Sequence, residues 1–281
     1  MKKFKIKSHA KINLALNVTG KNIKLHKIES IISFVDLHDI IYLKQIKKKN
    51  HKVFFKGQFS NHINKINTVT KLFKLLDQKK SLNDKKFEIK IIKNIPQKAG
   101  MGGGSMNAAS LINFFIKKKI LKLQMNELVK LTSQIGSDVI LGIKPSNTIL
   151  SSNGKIKKYD ENIRLHTLIV KPRFGCSTKY IYSKVKLFSK SKFDRPNRKF
   201  FKKEYLKKLN NDLEIIAFKK YPKLKKIKSF LLTMHNNIFV RMSGSGSSIV
   251  AYFHSKRACG SAYKKFKRKF NSHWCIVSKT I

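Results

Sequence analysis

The residues best suited to chemistry lie in Pro96-Gln-Lys-Ala-Gly-Met-Gly-Gly-Gly-Ser-Met-Asn-Ala-Ala109, a glycine-rich segment running into a helical pattern. Gly100, Gly102, Gly103 and Gly104 let the backbone take positive φ and approach a ligand closely. A helix expected to begin near Ser105 aims its free N–H groups and positive dipole end at the same place, which suits a phosphate chain. Pro96, the Ser105 hydroxyl and Asn107 complete this candidate nucleotide site. No Gly-Lys-Ser/Thr closes the loop, so it is not a Walker A sequence. Nor does it open the first strand–helix unit as a dinucleotide fingerprint does.

Three further segments hold polar residues where a fold would otherwise be apolar. Lys11 and Asn13 stand at i and i+2 of a strand pattern and therefore face one way, toward a site or toward solvent from an edge strand. Asp138, in Gly136-Ser-Asp-Val139, follows a helix-ending glycine, a position where Asp ordinarily caps whatever follows. Met242-Ser-Gly-Ser-Gly-Ser-Ser248, with Ser243 and Gly244, enters a strand and read alone is equally an ordinary turn.

The elements that must position these residues alternate between strands and helices. Ile12, Leu14, Leu16 and Val18 form one strand face, and Phe87, Ile89 and Ile91 another. Val69, Leu72, Phe73, Leu75 and Leu76 recur at helical spacing within residues 68–79. Residues 127–135 read as a helix stopped by Gly136 at its C-cap, and the Ser/Asn/Gly-rich stretch 145–160 as a domain transition. Beyond it, 165–171 reads as a strand, 202–219 as one helix, and Pro222 as the first turn of another with Leu224, Ile227 and Phe230 inside. Residues 248–253 and 274–278 read as strands. The mixture predicts an α+β fold, divided into domains 1–153 and 154–281.

Composition narrows the class. With 281 residues, 41% of them hydrophobic and 10% aromatic, the chain can bury real cores, and no apolar run approaches the roughly 18 residues of a membrane span. The amino terminus carries charge without a following apolar stretch, so it does not read as a secretory signal. Cys176, Cys259 and Cys275 are far apart and lack metal-ligand spacing, as expected of thiols in a reducing cytoplasm. Lys+Arg 63 against Asp+Glu 14 gives a net charge of +49. The basic residues run through the whole chain instead of gathering on one segment, and Lys accompanies abundant Ile, Asn and Phe. Codon bias therefore accounts for the excess more cheaply than a nucleic-acid footprint.

Taken together and in order, the four segments resemble the three motifs and catalytic aspartate of the GHMP kinase superfamily. The resemblance extends over nearly the whole chain: AKINLALNVTGK, His26 in KLHKIES, GSDV, VKPRFGCSTKYIY, NDLE at 211–214 and RMSGSGSS at 241–248. It is greatest to the branch acting on a cytidyl substrate in non-mevalonate isoprenoid synthesis. The resemblance implies two α+β domains with the active site in the cleft between them. It also implies transfer of the γ-phosphate of ATP, with Mg²⁺, to a 2-hydroxyl. Asp138 would then be the base, Lys11 its partner, and the glycine loop the phosphate holder, with Ser105 a phosphate or Mg²⁺ contact. Ser243 and Gly244 would close the site, and Asn13, His26 and Tyr182 would contact the small-molecule substrate.

The chain departs from the family pattern at three places. Leu25 stands where a Tyr stacks on the cytosine, Ile140-Leu141-Gly142 replaces Pro-Phe-Phe, and Met106 replaces a small residue. Two other readings fit the sequence. One is a GHMP kinase for homoserine, mevalonate or a sugar. The other is a basic nucleic-acid-binding protein with a kinase-like fold, for which the run 264–269 is the main support. No membrane or specific nucleic-acid partner is expected, and the oligomeric state is not legible.

Overall fold

A computed structural model describes residues 3–23, 25–160 and 163–281. The chain divides into two compact units with interleaved segments: residues 1–11, 37–96 and 102–145 form the first, and residues 12–36, 97–101 and 146–281 the second. This spatial partition is discontinuous in sequence.

The long strands β1 (Lys3–Lys21) and β2 (His26–Ile46) pair with each other and supply residues to both units. In the first unit, Ile40–Ile46 of β2 pairs antiparallel with β4 (Lys86–Ile92), which pairs parallel with β3 (Lys52–Lys56). Three helices cover this sheet: α1 (Thr68–Gln78), α2 (Gly103–Lys117) and α3 (Met125–Ile135). Their apolar stripes, including Leu72, Phe73, Ala108, Leu111, Phe115 and Leu131, pack with Ile41, Leu43, Phe87, Ile89 and Ile91 in one core. A capping box starts α1: Asn67 Oδ1 accepts from the N–H of Val69 and Thr70, while Thr70 Oγ1 accepts from the N–H of Asn67. α2 begins two residues before the expected Ser105. Gly136 does end α3, but with φ 169, so it is extended backbone and not a left-handed cap.

In the second unit, Ser30–Ile32 of β2 pairs with β5 (Asn147–Leu150), which pairs with β6 (Ile156–Tyr159). Residues 145–160, expected to be a domain transition, are thus mostly a hairpin. Its Ser151-Ser-Asn-Gly154 turn explains the loop-like composition. A four-stranded antiparallel sheet follows in the order β10–β7–β9–β8, made of β7 (His166–Lys171), β8 (Asn237–Met242), β9 (Ile249–Phe253) and β10 (Trp274–Lys279). The remaining helices are α4 (Thr178–Ser183), α5 (Lys203–Lys207), α6 (Leu213–Lys220), α7 (Pro222–Leu232) and α8 (Lys256–Lys269). Leu213, Leu224, Ile227, Leu231 and Phe266 bury against Leu168, Val170, Ile249, Ala251 and Phe253.

The single helix expected over 202–219 is two helices. Arg241, buried, donates to the carbonyls of Leu206 and Leu209, which a continuous helix would use for its own ladder. The run 264–269 lies on α8, with Phe266 buried and most of its basic residues on the exposed face. All three cysteines are buried free thiols, and burial pushes Cys176 and Cys275 up to about 11 and Cys259 to about 12. No helix among the described residues is long and apolar enough to cross a membrane.

Candidate active site

In the first unit the structure brings Lys11 and Asp138 together, with Lys11 Nζ 3.3 Å from Asp138 Oδ2. Lys11 is 5% exposed, so its strand does not turn this residue to solvent. Asp138 does not act as a cap, since the short 3₁₀ turn Ile140–Gly142 has no side-chain capping bond. Gly102, at φ 64, packs over the pair. A Cβ there would lie 3.0 Å from Lys11 Cγ and 3.7 Å from Asp138 Oδ2. The residue that opens α2 must therefore lack a side chain for the helix start to approach these charges. With no side chain at Gly102, the first N–H groups of α2 lack a side-chain cap and form an anion-binding end. Ser105 Oγ lies 3.8 Å from the Cβ position of Gly136, so its hydroxyl faces the turn carrying Asp138. Pro96 and Asn107 are buried. Asn107 donates its amide to Asp39, 3.1 Å away and 68 residues distant in sequence.

In the second unit, Asn13 is 3% exposed and belongs to a chain of hydrogen bonds. Its Nδ2 donates to Ser30 Oγ at 2.8 Å, and Ser30 Oγ donates to the carbonyl of Ala15 at 2.6 Å. Its backbone N–H donates to Ser243 Oγ at 3.3 Å, and Ser243 Oγ donates to the Gly100 carbonyl at 2.9 Å. A Cβ on Gly100 would fall 1.9 Å from the Ser243 carbonyl oxygen, so only glycine lets these two loops meet. Gly244 lies beside Asn13 Oδ1, at 3.5 Å from its own Cβ position.

The 243–247 loop is held by Asn211 and Glu214. Asn211 Nδ2 donates to the carbonyls of Met242 and Gly244, both at 2.8 Å, and Glu214 accepts the N–H of Met242 at 2.7 Å. Asn211 and Glu214 are the first and last residues of NDLE, so the signal was present as a motif without a role.

His26 lies near two aromatic rings, with centroid distances of 5.2 Å to Tyr182 and 6.5 Å to Phe188. Burial, aided by the charge of Lys21, lowers its pKa from the ordinary histidine value. A neutral imidazole offers one donor and one acceptor, which suits the edge of a base. Phe188 was not expected, and Leu25 is 70% exposed. The other two departures from the family pattern explain each other. A Cβ on Gly142 would meet Ala109 Cβ at 2.7 Å and Met106 Sδ at 2.9 Å, so the larger Met106 occupies room that a larger residue at 142 would need.

A glycine-opened helix start beside a Lys–Asp pair can hold phosphates next to a carboxylate able to accept a proton. Residues 67–151 match the family model described as the GHMP kinases N terminal domain. The chain is 66% identical, over the full length of both, to the 4-diphosphocytidyl-2-C-methyl-D-erythritol kinase of Pelagibacter ubique. It is 33% identical to the enzyme of the same name from Clostridium tetani, over 99% of this chain and all of the other. Its fold matches a crystal structure of 4-(cytidine 5'-diphospho)-2C-methyl-D-erythritol kinase with a TM-score of 0.77, at 20% identity over 98% and 99% of the two chains. A homoserine kinase from Cytophaga hutchinsonii has the same fold, with a TM-score of 0.73 at 15% identity over 100% and 95% of the chains. The chain belongs to the GHMP kinases and, within them, to the 4-diphosphocytidyl-2-C-methyl-D-erythritol kinase family. It is an ATP-using phosphotransferase with an alcohol group as acceptor.

Proposed function

We propose that this kinase transfers the γ-phosphoryl group of ATP to the 2-hydroxyl of 4-diphosphocytidyl-2-C-methyl-D-erythritol, and that Lys11 and Asp138 do so as a pair. The observation that carries this reading is the 3.3 Å contact between them beneath Gly102. Asp138 accepts the proton of the attacking hydroxyl as the new O–P bond forms and the bond to the ADP oxygen breaks. Lys11 holds the carboxylate in place and keeps a positive charge beside it. Positioning and charge stabilisation supply most of the gain in phosphoryl transfer. Here the N–H groups opening α2 and the flanking glycines hold the phosphates, aided by the Ser105 hydroxyl.

Among the described residues no group of three or more His, Cys, Asp or Glu is placed to hold a metal. A Mg²⁺ ion would be carried mainly by the nucleotide phosphates, with the Ser105 hydroxyl as an added oxygen ligand. When bound, the ion would neutralise phosphate charge. Asn13, Ser243 and Gly244 contact the acceptor, while His26 reads the cytosine edge and Tyr182 stacks on its face. The enzyme works in the cytoplasm, where its three buried thiols stay reduced.

A panel of acceptors tests the substrate reading: the cytidyl alcohol, homoserine, mevalonate and a hexose, each with ATP and Mg²⁺. The cytidyl alcohol should be preferred by orders of magnitude in kcat/KM. Equal or better turnover of another acceptor would remove the assignment.

A further inference from the structure

We propose that Asp39 is a positioning residue for the nucleotide loop, an inference that rests on reading the 96–105 segment as the nucleotide site. Asp39 lies on β2, is 0% exposed, and gathers donors from both ends of that segment. Its Oδ1 accepts the N–H groups of Asn94 at 2.8 Å and Ile95 at 2.9 Å, immediately before Pro96. Its Oδ2 accepts the Lys93 ammonium and, at 3.1 Å, the Asn107 amide at the start of the second turn of α2. One carboxylate thus ties the entry of the loop to its exit.

Two details show that the tie is built for this place. The Oδ1 of Asn107 is buried without a hydrogen-bond partner among the described residues, so Asp39 is what orients this amide. The Lys93 ammonium lies 3.4 Å from the Cβ position of Gly103, the first residue of α2, so the Lys93–Asp39 pair reaches the helix start itself. A buried ammonium beside a helix N-terminus is unfavourable by itself, and Asp39 supplies the counter-charge that keeps it there. A pair that merely filled the core would not need to hold the loop at both ends.

The test is direct nucleotide binding. ADP with Mg²⁺ is titrated calorimetrically into the full-length wild type, Asp39→Asn, and the double variant Asp39→Leu/Lys93→Met. Separate KM values are measured for ATP and for the cytidyl alcohol. The double variant removes both buried charges together, so it supplies a folded protein where the single substitution strands Lys93. In every folded variant ADP affinity should fall by about tenfold or more and KM for ATP should rise in step, with the acceptor KM within about threefold of wild type. A folded variant that binds ADP like the wild type, or raises both KM values equally, overturns the proposal. A wild type that binds ADP but does not turn over the cytidyl alcohol defeats only the substrate reading. A wild type that binds no ADP defeats both.

Discussion

Two lysine–aspartate pairs sit in the same unit and differ in what surrounds the carboxylate. Asp138 pairs with Lys11 at 3.3 Å, and its side chain remains 36% exposed. Asp39 pairs with Lys93 and is fully buried, with two backbone N–H groups and an amide also bound to it. The first carboxylate keeps lone pairs for a proton arriving from a substrate. The second has committed its lone pairs to protein donors, so it can hold structure but has no capacity to take part in chemistry. The same two residue types therefore serve reaction in one place and positioning in the other, and the count of donors distinguishes them.

The largest effect should come from Asp138→Asn. Loss of the base should lower kcat by about 10²–10⁴-fold, read from steady-state ATP turnover, while the thermal midpoint stays close to wild type. Asp39→Asn should invert that pattern. It strands a buried ammonium, and urea unfolding should show a loss of about 3–5 kcal/mol. If both substitutions cost stability equally, the contrast between the pairs fails.

A neutral substitution in the same unit sharpens the contrast, because it acts through packing without charge. Gly142→Ala places a methyl 2.7 Å from Ala109 and 2.9 Å from Met106, and should cost about 1–3 kcal/mol of unfolding free energy. Met106→Ala in the same chain should recover part of that loss. Additive effects of the two substitutions would show that they do not share a space.

The smallest effect concerns a third carboxylate, Asp77, which is as exposed as Asp138 but is bound by two side chains, Lys86 at 2.8 Å and His51 at 3.1 Å. The other ring nitrogen of His51 accepts the N–H of Phe87, so the ring is held neutral. Burial lowers the His51 pKa, outweighing the opposite pull of Asp77. A group whose folded pKa is depressed stabilises fully above its unfolded value. That stability is lost as pH falls below about 6.5 toward the folded pKa. Thermal midpoints should therefore decline from pH 7.5 to 5.5, and His51→Phe should flatten the decline. An unchanged slope would assign it to other groups.

Much of the fold was legible because burial leaves a period. Ile12 to Val18, Phe87 to Ile91 and the 68–79 stripe are all where alternation or helical spacing put them. The break between α5 and α6 was not legible, because it is imposed by Arg241, more than thirty residues away, capturing carbonyls that local propensity would have left to a helix. The site was legible in its motifs and not in its supports. Gly102, Lys11 and Asp138 belong to recognisable segments. Asp39 and Lys93 are single polar residues that no spacing marks, and Asn211 lies in a recognisable segment whose sequence does not tell that it holds the carbonyls of Met242 and Gly244. Phe188 lies in a stretch of mixed composition and acquires meaning only from its nearness to His26.

The measurement bearing most directly on the central contrast is single-turnover phosphoryl transfer by Asp138→Asn at saturating ATP and cytidyl alcohol, beside its affinity for ADP. A rate lowered by about a hundredfold or more, with ADP affinity and thermal midpoint retained, would establish Asp138 as the group that acts on the substrate. A rate within about threefold of wild type would contradict that role and leave the Lys11–Asp138 pair a structural contact.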